Sequence, residues 1–336
     1  MRFKPLLLFG SVLALPLWAQ FPDAETLLLE SLRSPSISYE GEVKVTRVFG
    51  GKTRVETAHV LFRSPQWSRW EFRSPEGRAS RIVVSDGNEQ KVLLVRRGVL
   101  IKGGAVKSVF KEINEEQEFA LLRKNYSFKV AGQETVAERP VWVLEVTPRA
   151  SGKLSQRLWI DQETRAVLGN QRFGRQDPFR VESRFVRFQP RASVDPGRFR
   201  LEISPEMRVM EPPVDPDFLP LDQLNRRGEK MAQFPSELPG GYVFESGNIF
   251  KLRGQGVRHL RYTDGLSVVS LFETDRPVRL PKGHSMRRFF ESAMRRQPLF
   301  SSSAGPVLQW KMGGHHYTLM GDCSKELLQE MSEKIR

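Results

Sequence analysis

The chain has 336 residues, a formal net charge of +14, 39% hydrophobic residues and 27% charged residues. That composition excludes a disordered polymer, and the length allows one large core or two ordinary ones. A single cysteine, Cys323, excludes an internal disulfide framework, so stability has to come from packing.

The first residues carry an export pattern. Arg2 and Lys4 precede the apolar run Leu6–Leu17, which is too short to span a bilayer, and Ala19 stands before a cut at Ala19–Gln20. Residues 1–19 therefore read as a cleavable secretory signal, with no cysteine after the run to take a lipid and no transmembrane span expected once it is removed. Export turns the basic charge away from nucleic acid. Anionic lipid headgroups, lipopolysaccharide or an acidic partner protein are the matching classes.

Pro22–Arg33 reads as a helix with Asp23 as its N-cap and Leu27, Leu28 and Leu32 on one face. Ser38–Phe49 then alternates, with Tyr39, Gly41, Val43 and Val45 against Glu40, Glu42 and Lys44, the period of a half-buried strand. Gly50–Gly51 turns it into Arg54–Arg63. Strands follow at Gln66–Phe72, Ser80–Ser85 and Glu89–Arg96, the last two flanking Asp86-Gly87-Asn88. Asn114–Lys124 is a short capped helix. Tyr126–Val130, Val141–Thr147, the hairpin within Arg157–Phe173 and Phe179–Phe188 complete the run. That hairpin is the centre of the reading: Leu158, Trp159 and Ile160 are β-prone, and Asp161 can accept the backbone N–H two residues on to start the turn, with Gln162–Glu163 at its tip.

Pro190, Pro196, Pro205, Pro212, Pro213, Pro216 and Pro220 then break regular structure, with a closing strand expected near Phe199–Ile203 and a short helix near Leu221–Met231. A second unit follows: a turn at Leu238–Tyr242, strands at Phe250–Arg253, Gly256–Tyr262 and Leu266–Phe272 (the last pair joined by Asp264-Gly265), a helix at Ser285–Arg296, strands at Val307–Trp310 and Tyr317–Met320, and a last helix capped by Ser324. The fold class is α+β and mostly β: a long antiparallel meander that curls into a half-barrel with helices, then a smaller antiparallel α/β domain. The expected division is a signal at 1–19, a first domain at 20–204, a proline-rich linker at 205–233 and a second domain at 234–336.

Two groups of residues carry candidate chemistry. Trp67, Trp70, Phe72, Trp142, Trp159 and Phe173 suit either a lipid-lined concave face or ordinary sheet core. Arg287, Arg288, Arg295 and Arg296, with Phe289 and Phe290, make the helix at 285–296 basic and amphipathic, fit for an anionic surface or an acidic partner, or for docking on the second sheet. His315 and His316 point to opposite faces of a strand, which is poor geometry for one metal ion, and no metal or cofactor is expected. The sequence holds no G-x-S-x-G, H-E-x-x-H or C-x-x-C, so no enzymatic reaction is assigned.

Tyr126–Val130, Gly132, Arg139–Pro148 and Leu158–Thr164 resemble the RseB/MucB family of periplasmic sigma-E regulators, and also the LolA/LolB lipoprotein-sorting fold. His259–Phe272, and Gly321 leading into the last helix, are similar to the C-terminal domain of the RseB/MucB family. That resemblance implies a periplasmic protein that binds the periplasmic part of an RseA/MucA-like anti-sigma factor, shields it from proteolysis, and senses envelope lipid or lipopolysaccharide. The alternative it leaves is a LolA-like carrier of lipid or lipoprotein.

Overall fold

The structure is a computed structural model that describes residues 21–336 apart from 34, 50–51, 75, 88, 105–111, 175–179, 192, 211–216, 227–232, 253 and 278–305. The expected signal at 1–19 and the expected basic helix at 285–296, with Arg287, Arg288, Phe289, Phe290, Arg295 and Arg296, lie outside the described residues.

A 12-stranded sheet dominates the first part. Its strands are β1 (Ser38–Phe49), β2 (Lys52–Arg63), β3 (Trp67–Arg73), β4 (Ala79–Ser85), β5 (Glu89–Leu94), β6 (Val99–Gly104), β7 (Tyr126–Val136), β8 (Arg139–Pro148), β9 (Ser155–Asp161), β10 (Val167–Phe173), β11 (Arg180–Arg191) and β12 (Arg208–Met210). The spatial order is β12-β6-β5-β4-β3-β2-β1-β11-β10-β9-β8-β7. Neighbours are antiparallel except for β12 and β6, which run parallel. The sheet curls into a half-barrel and brings β7 round towards β11: Arg184 lies 3.7 Å from Glu134, and the Trp159 indole donates to that same Glu134 at 2.8 Å.

Two helices and a strap cover parts of this sheet. Helix α1 (Ala24–Leu32) is capped by Asp23, which accepts from the Thr26 N–H, and α2 (Glu115–Asn125) by a reciprocal Asn114–Gln117 capping box. Leu27 and Leu28 of α1 and Leu122 of α2 pack on Leu144, Leu158 and Ile160. A separate cluster gathers Tyr39, Phe62, Trp70, Phe72, Trp159, Phe185 and Phe188, all buried, in edge-on and stacked ring contacts.

The second sheet has 7 strands. They are β13 (Asp217–Leu219), β14 (Glu237–Leu238), β15 (Tyr242–Leu252), β16 (Gln255–Thr263), β17 (Val268–Thr274), β18 (Val307–Met312) and β19 (His315–Gly321), with the main path β13-β15-β16-β17-β19-β18. Helix α3 (Leu221–Arg226) and helix α4 (Lys325–Ile335), the latter capped by Ser324, supply Leu224, Leu327, Leu328, Met331 and Ile335 to its core.

The centre hairpin forms, with the Asp161 turn bond reaching three residues on rather than two. Asp161 is fully buried; its Oδ2 accepts from the Thr164 N–H at 2.9 Å, and Arg139 donates to both carboxylate oxygens at 2.7 and 2.9 Å. Burial pushes the Asp161 carboxyl up, but Arg139 and Thr164 outweigh it and hold it below the usual range.

The structure departs from the sequence reading in several places: β12, β13 and β14 have no counterpart in it, β15 starts at Tyr242 rather than Phe250, and three further differences lie in the first sheet. No closing strand forms at Phe199–Ile203. Asp195 instead caps a 3₁₀ turn at Pro196–Phe199, and the chain beyond it lies as a strap across β2–β5, held by Arg69 donating to the carbonyls of Arg198 and Arg200. β6, which the sequence reading lacks, forms a local hairpin with β5 across the Val95–Gly98 turn and takes the distant β12 on its other edge. Finally, β7 runs on to Val136 and meets β8 across Ala137–Glu138, both in left-handed backbone at φ 49° and 62°. That is the geometry of a two-residue hairpin turn without its usual Asn-Gly chemistry. Glu138 is exposed. Glu138→Gly is therefore expected to stabilise the protein by up to about 1 kcal/mol, read as a higher urea midpoint at unchanged slope.

Candidate functional site

The candidate aromatics do not share one surface. Trp70, Phe72 and Trp159 are buried in the aromatic cluster of the curled sheet. Trp142 packs on the opposite face, in the α1–α2 core, with Phe21 edge-on at 5.7 Å. Trp67 lies under the strap, edge-on to Phe199 at 5.5 Å. Phe173 ends β10, where it pairs with Ser155 and Arg180, and is half-buried.

A cleft of about 540 Å³ opens between the strap and the outer face of β2–β5. Leu61, Ile82, Leu93 and Leu201 line it, with Arg69, Arg198 and Arg200 among the charged lining residues. Its wall is clamped by one carboxylate. Glu40 receives Arg198 at 2.9 and 3.1 Å, His59 at 3.0 Å and Arg191 at 3.4 Å. The Arg198 hydrogen bonds, with help from His59, lower the Glu40 carboxyl to about 2 from its ordinary 4.5.

The second polar concentration lies between the two sheets. Asn125 and Tyr126 at the α2–β7 junction, Lys153 in the β8–β9 connection and Arg172 of β10 face the β14–β15 turn, the β16–β17 turn and the entry to α4. Lys153 and Asp264 are both completely buried and 2.9 Å apart. The Lys153 ammonium also sits 5.2 Å from the ring centroids of Tyr126 and Tyr242. Tyr126 donates its hydroxyl to Asp264 Oδ2 at 2.7 Å, and Asn125 donates to the carbonyls of Gly241 and Asp264. Burial, reinforced by Asp264, pushes both tyrosine hydroxyls well above their usual range. A second buried pair, Arg172 with Asp322 at 2.9 Å, is flanked by Arg172 donating to Ser267 Oγ. Lys153 forms an isolated backbone bridge with Cys323, and the Ser324 N–H reaches the Gly152 carbonyl at 2.6 Å.

The Asp264-Gly265 turn explains why the lobes fit so closely. A Cβ at Gly265, whose φ is +95°, would fall 2.7 Å from the Leu122 N and 2.9 Å from the Glu118 carbonyl oxygen of α2. Only glycine permits that approach. Leu266, next in the turn, enters the α1–α2 core. The sequence showed Asp264-Gly265 as a hairpin signal; its second role needed knowledge of which turn faces which helix. His315 lies 3.3 Å from Asp275, while Asp322 serves Arg172, so the candidate metal-ligand types are not brought together. Among the described residues no cluster of metal-ligating side chains occurs, and no helix is long and apolar enough to cross a membrane.

With this geometry in hand, the comparisons are specific. Residues 44–201 match the protein-family model of the MucB/RseB N-terminal domain. The chain resembles the MucB/RseB family. No curated protein sequence matches it. Among solved structures, the Pseudomonas aeruginosa MucA/MucB complex gives a TM-score of 0.57 at 18% identity, over 93% of this chain and 97% of that one. A crystal structure of MucB gives 0.52 at 18% identity, over 92% and 96%, and MucB in complex with MucA(peri) gives 0.52 at 16%, over 92% and 97%. The likeness to MucB thus spans both sheets and shows a shared fold.

The Glu40 clamp makes a pH prediction. Its folded pKa is depressed, so its contribution is present above about 4.5 and is lost as pH falls through about 2. Trp67 emission is expected to change over that interval as the strap loosens from Phe199, and Glu40→Gln should show the loosened emission already at neutral pH.

Proposed function

We propose that this chain is an exported periplasmic regulatory protein of the MucB/RseB type, which binds the periplasmic part of a MucA-like anti-sigma factor and shields it from proteolysis. It acts by holding a partner and carries out no reaction. The observation that carries this reading is the match of residues 44–201 to the MucB/RseB N-terminal domain, set within a two-sheet architecture that follows MucB beyond that domain. The charge fits as well: a chain with 53 Lys and Arg against 39 Asp and Glu offers a positive surface to an acidic partner. The residues 287, 288, 295 and 296, all arginine, would add to that surface.

Lipid or lipopolysaccharide sensing is the finer part of the proposal, and a LolA-like lipid carrier is its alternative. The aromatic cluster of Trp70, Phe72 and Trp159 is filled by its own side chains, so acyl chains would enter it only by displacing them. Phe72→Ala is therefore expected first to cost about 3–5 kcal/mol of stability, measured by urea unfolding.

The decisive experiment is retention of the purified protein on the immobilised periplasmic domain of a MucA-like anti-sigma factor, with slower cleavage of that domain by protease in the complex. Retention weakened by salt, and by Arg287→Ala with Arg295→Ala, would add the basic segment to the binding surface. Purified protein that ignores this partner and releases stoichiometric acyl lipid on solvent extraction would instead establish the carrier.

A further inference from the structure

Each lobe holds its own apolar core, whereas the contact between them concentrates buried polar and charged groups. The first lobe closes around its aromatic cluster and its α1–α2 cluster, and the second around Tyr242, Phe244, Leu260, Tyr262, Leu319 and the α4 leucines. Between them lie Lys153–Asp264, Arg172–Asp322, the tyrosine hydroxyl of Tyr126 and the amide of Asn125. The apolar share of the contact includes Leu266 against the first lobe and the Leu327 side chain, which crowds Gly152.

Buried ion pairs have an asymmetric energetics. Their attraction is largely cancelled by lost hydration, so an intact pair adds little net stability, while removing one partner strands the other. Parting the lobes returns both members of each pair to water together, and water repays the desolvation. Unfolding either core returns no such compensation for its apolar side chains. A polar seam between two independent cores is therefore the plane of least resistance in this molecule.

We propose that the seam is a latch: the two lobes part along it as intact bodies, with Lys153–Asp264 and Arg172–Asp322 as the contacts exchanged for water. Asp264 is built for the task. Its Oδ1 accepts from the Leu266 and Ser267 N–H groups and holds its own turn, and its Oδ2 receives the first lobe's Tyr126 and Lys153. The turn can thus keep its shape when the lobe contact is released. The inference does not depend on which partner the protein binds.

The test reads an amide that crosses the seam: the Ser324 N–H donates to the Gly152 carbonyl of the first lobe. Its hydrogen-exchange rate is measured in the full-length protein against urea concentration, with circular dichroism followed in parallel. A latch predicts exchange well below the unfolding transition, with a urea dependence much shallower than that of unfolding. Asp264→Asn, which keeps the Oδ1 bonds, and Asp322→Asn should each raise that rate by about tenfold or more, with the shallow slope preserved. Asp86→Asn, in a first-lobe hairpin far from the seam in sequence and sheet position, should leave it unchanged. Should a seam variant fail to fold, the wild-type urea dependence alone decides. Exchange that follows global unfolding with its full slope, or variants that accelerate exchange only in step with lost circular dichroism, would overturn the latch.

Discussion

The pairing of β1 with β11 is the constraint on which the first lobe depends. Eleven register pairs join the two strands, from Ser38 with Arg191 to Val48 with Arg180. They link segments about 140 residues apart, so their loop-closure cost is met only once the intervening strands have formed. A bulge at Glu42/Val43 sets the local bend, and Gly41 lies so close to β11 that a Cβ there would fall 2.4 Å from the Arg187 carbonyl oxygen. With β1 and β11 joined, the early strands β2–β6 fan out on one side and β10–β7 on the other. The aromatic cluster at the join draws Tyr39, Phe185 and Phe188 from the two strands themselves.

Without an internal disulfide, the two lobes are fixed to each other by packing and by charge together: Leu266 enters the first lobe's core while Lys153–Asp264 and Arg172–Asp322 pair across the seam. The second lobe is itself rich in buried ion pairs. Arg258 pairs with Glu273, and Arg261 with Glu245, nearly or fully excluded from water. His259 is buried between Asn248 and the ring of Phe272, and burial, with the Arg261 charge beside it, lowers its pKa to about 3. Such pairs do little for net stability, but they penalise any arrangement that separates them, which favours one register and one docking over the alternatives. The lobe contact follows the same logic as the second lobe's interior.

Local chemistry was legible and long-range placement was not. Asp23, Asn114 and Ser324 announced their helices because a capping side chain acts within three residues. The alternation in β1 and the turn at Asp161 were likewise visible, since both are decided by neighbours in sequence. β6 is an exception, since Val99–Ile101 is a β-prone run just behind the Gly98 turn and pairs locally with β5, and at 199–203 Phe199 and Leu201 alternate as a strand's residues would. Those side chains instead cover the apolar face made by Leu61 and Val84. Of the candidate site residues, Trp67, Trp142 and Trp159 were recognisable as large aromatics, but the three clusters that hold them come from sheet topology. The seam was invisible for the same reason: Lys153, Asp264, Arg172 and Asp322 look like ordinary charged residues until two turns and two lobes are brought together.

The distribution of charge joins these features to the proposed partner. On the sheet faces, carboxylates meet cations: Glu56 takes Arg47 of the neighbouring strand and Arg54 of its own, Glu145 takes Arg157, Glu42 takes Arg187, and Glu40 takes Arg191 of β11 and Arg198 of the 3₁₀ turn. In the seam the two cations are neutralised one for one. Acidic groups are fewer than basic ones across the chain, so such pairing leaves most of the +14 surplus unbalanced, Arg2 and Lys4 of the expected signal apart. That surplus does not contribute to the core, where each buried cation among the described residues already has its counter-charge. It is available at the surface, where it attracts an acidic partner over roughly a Debye length of 8–10 Å. A protein whose interior charge is balanced and whose exterior charge is not is arranged for association with a negatively charged molecule.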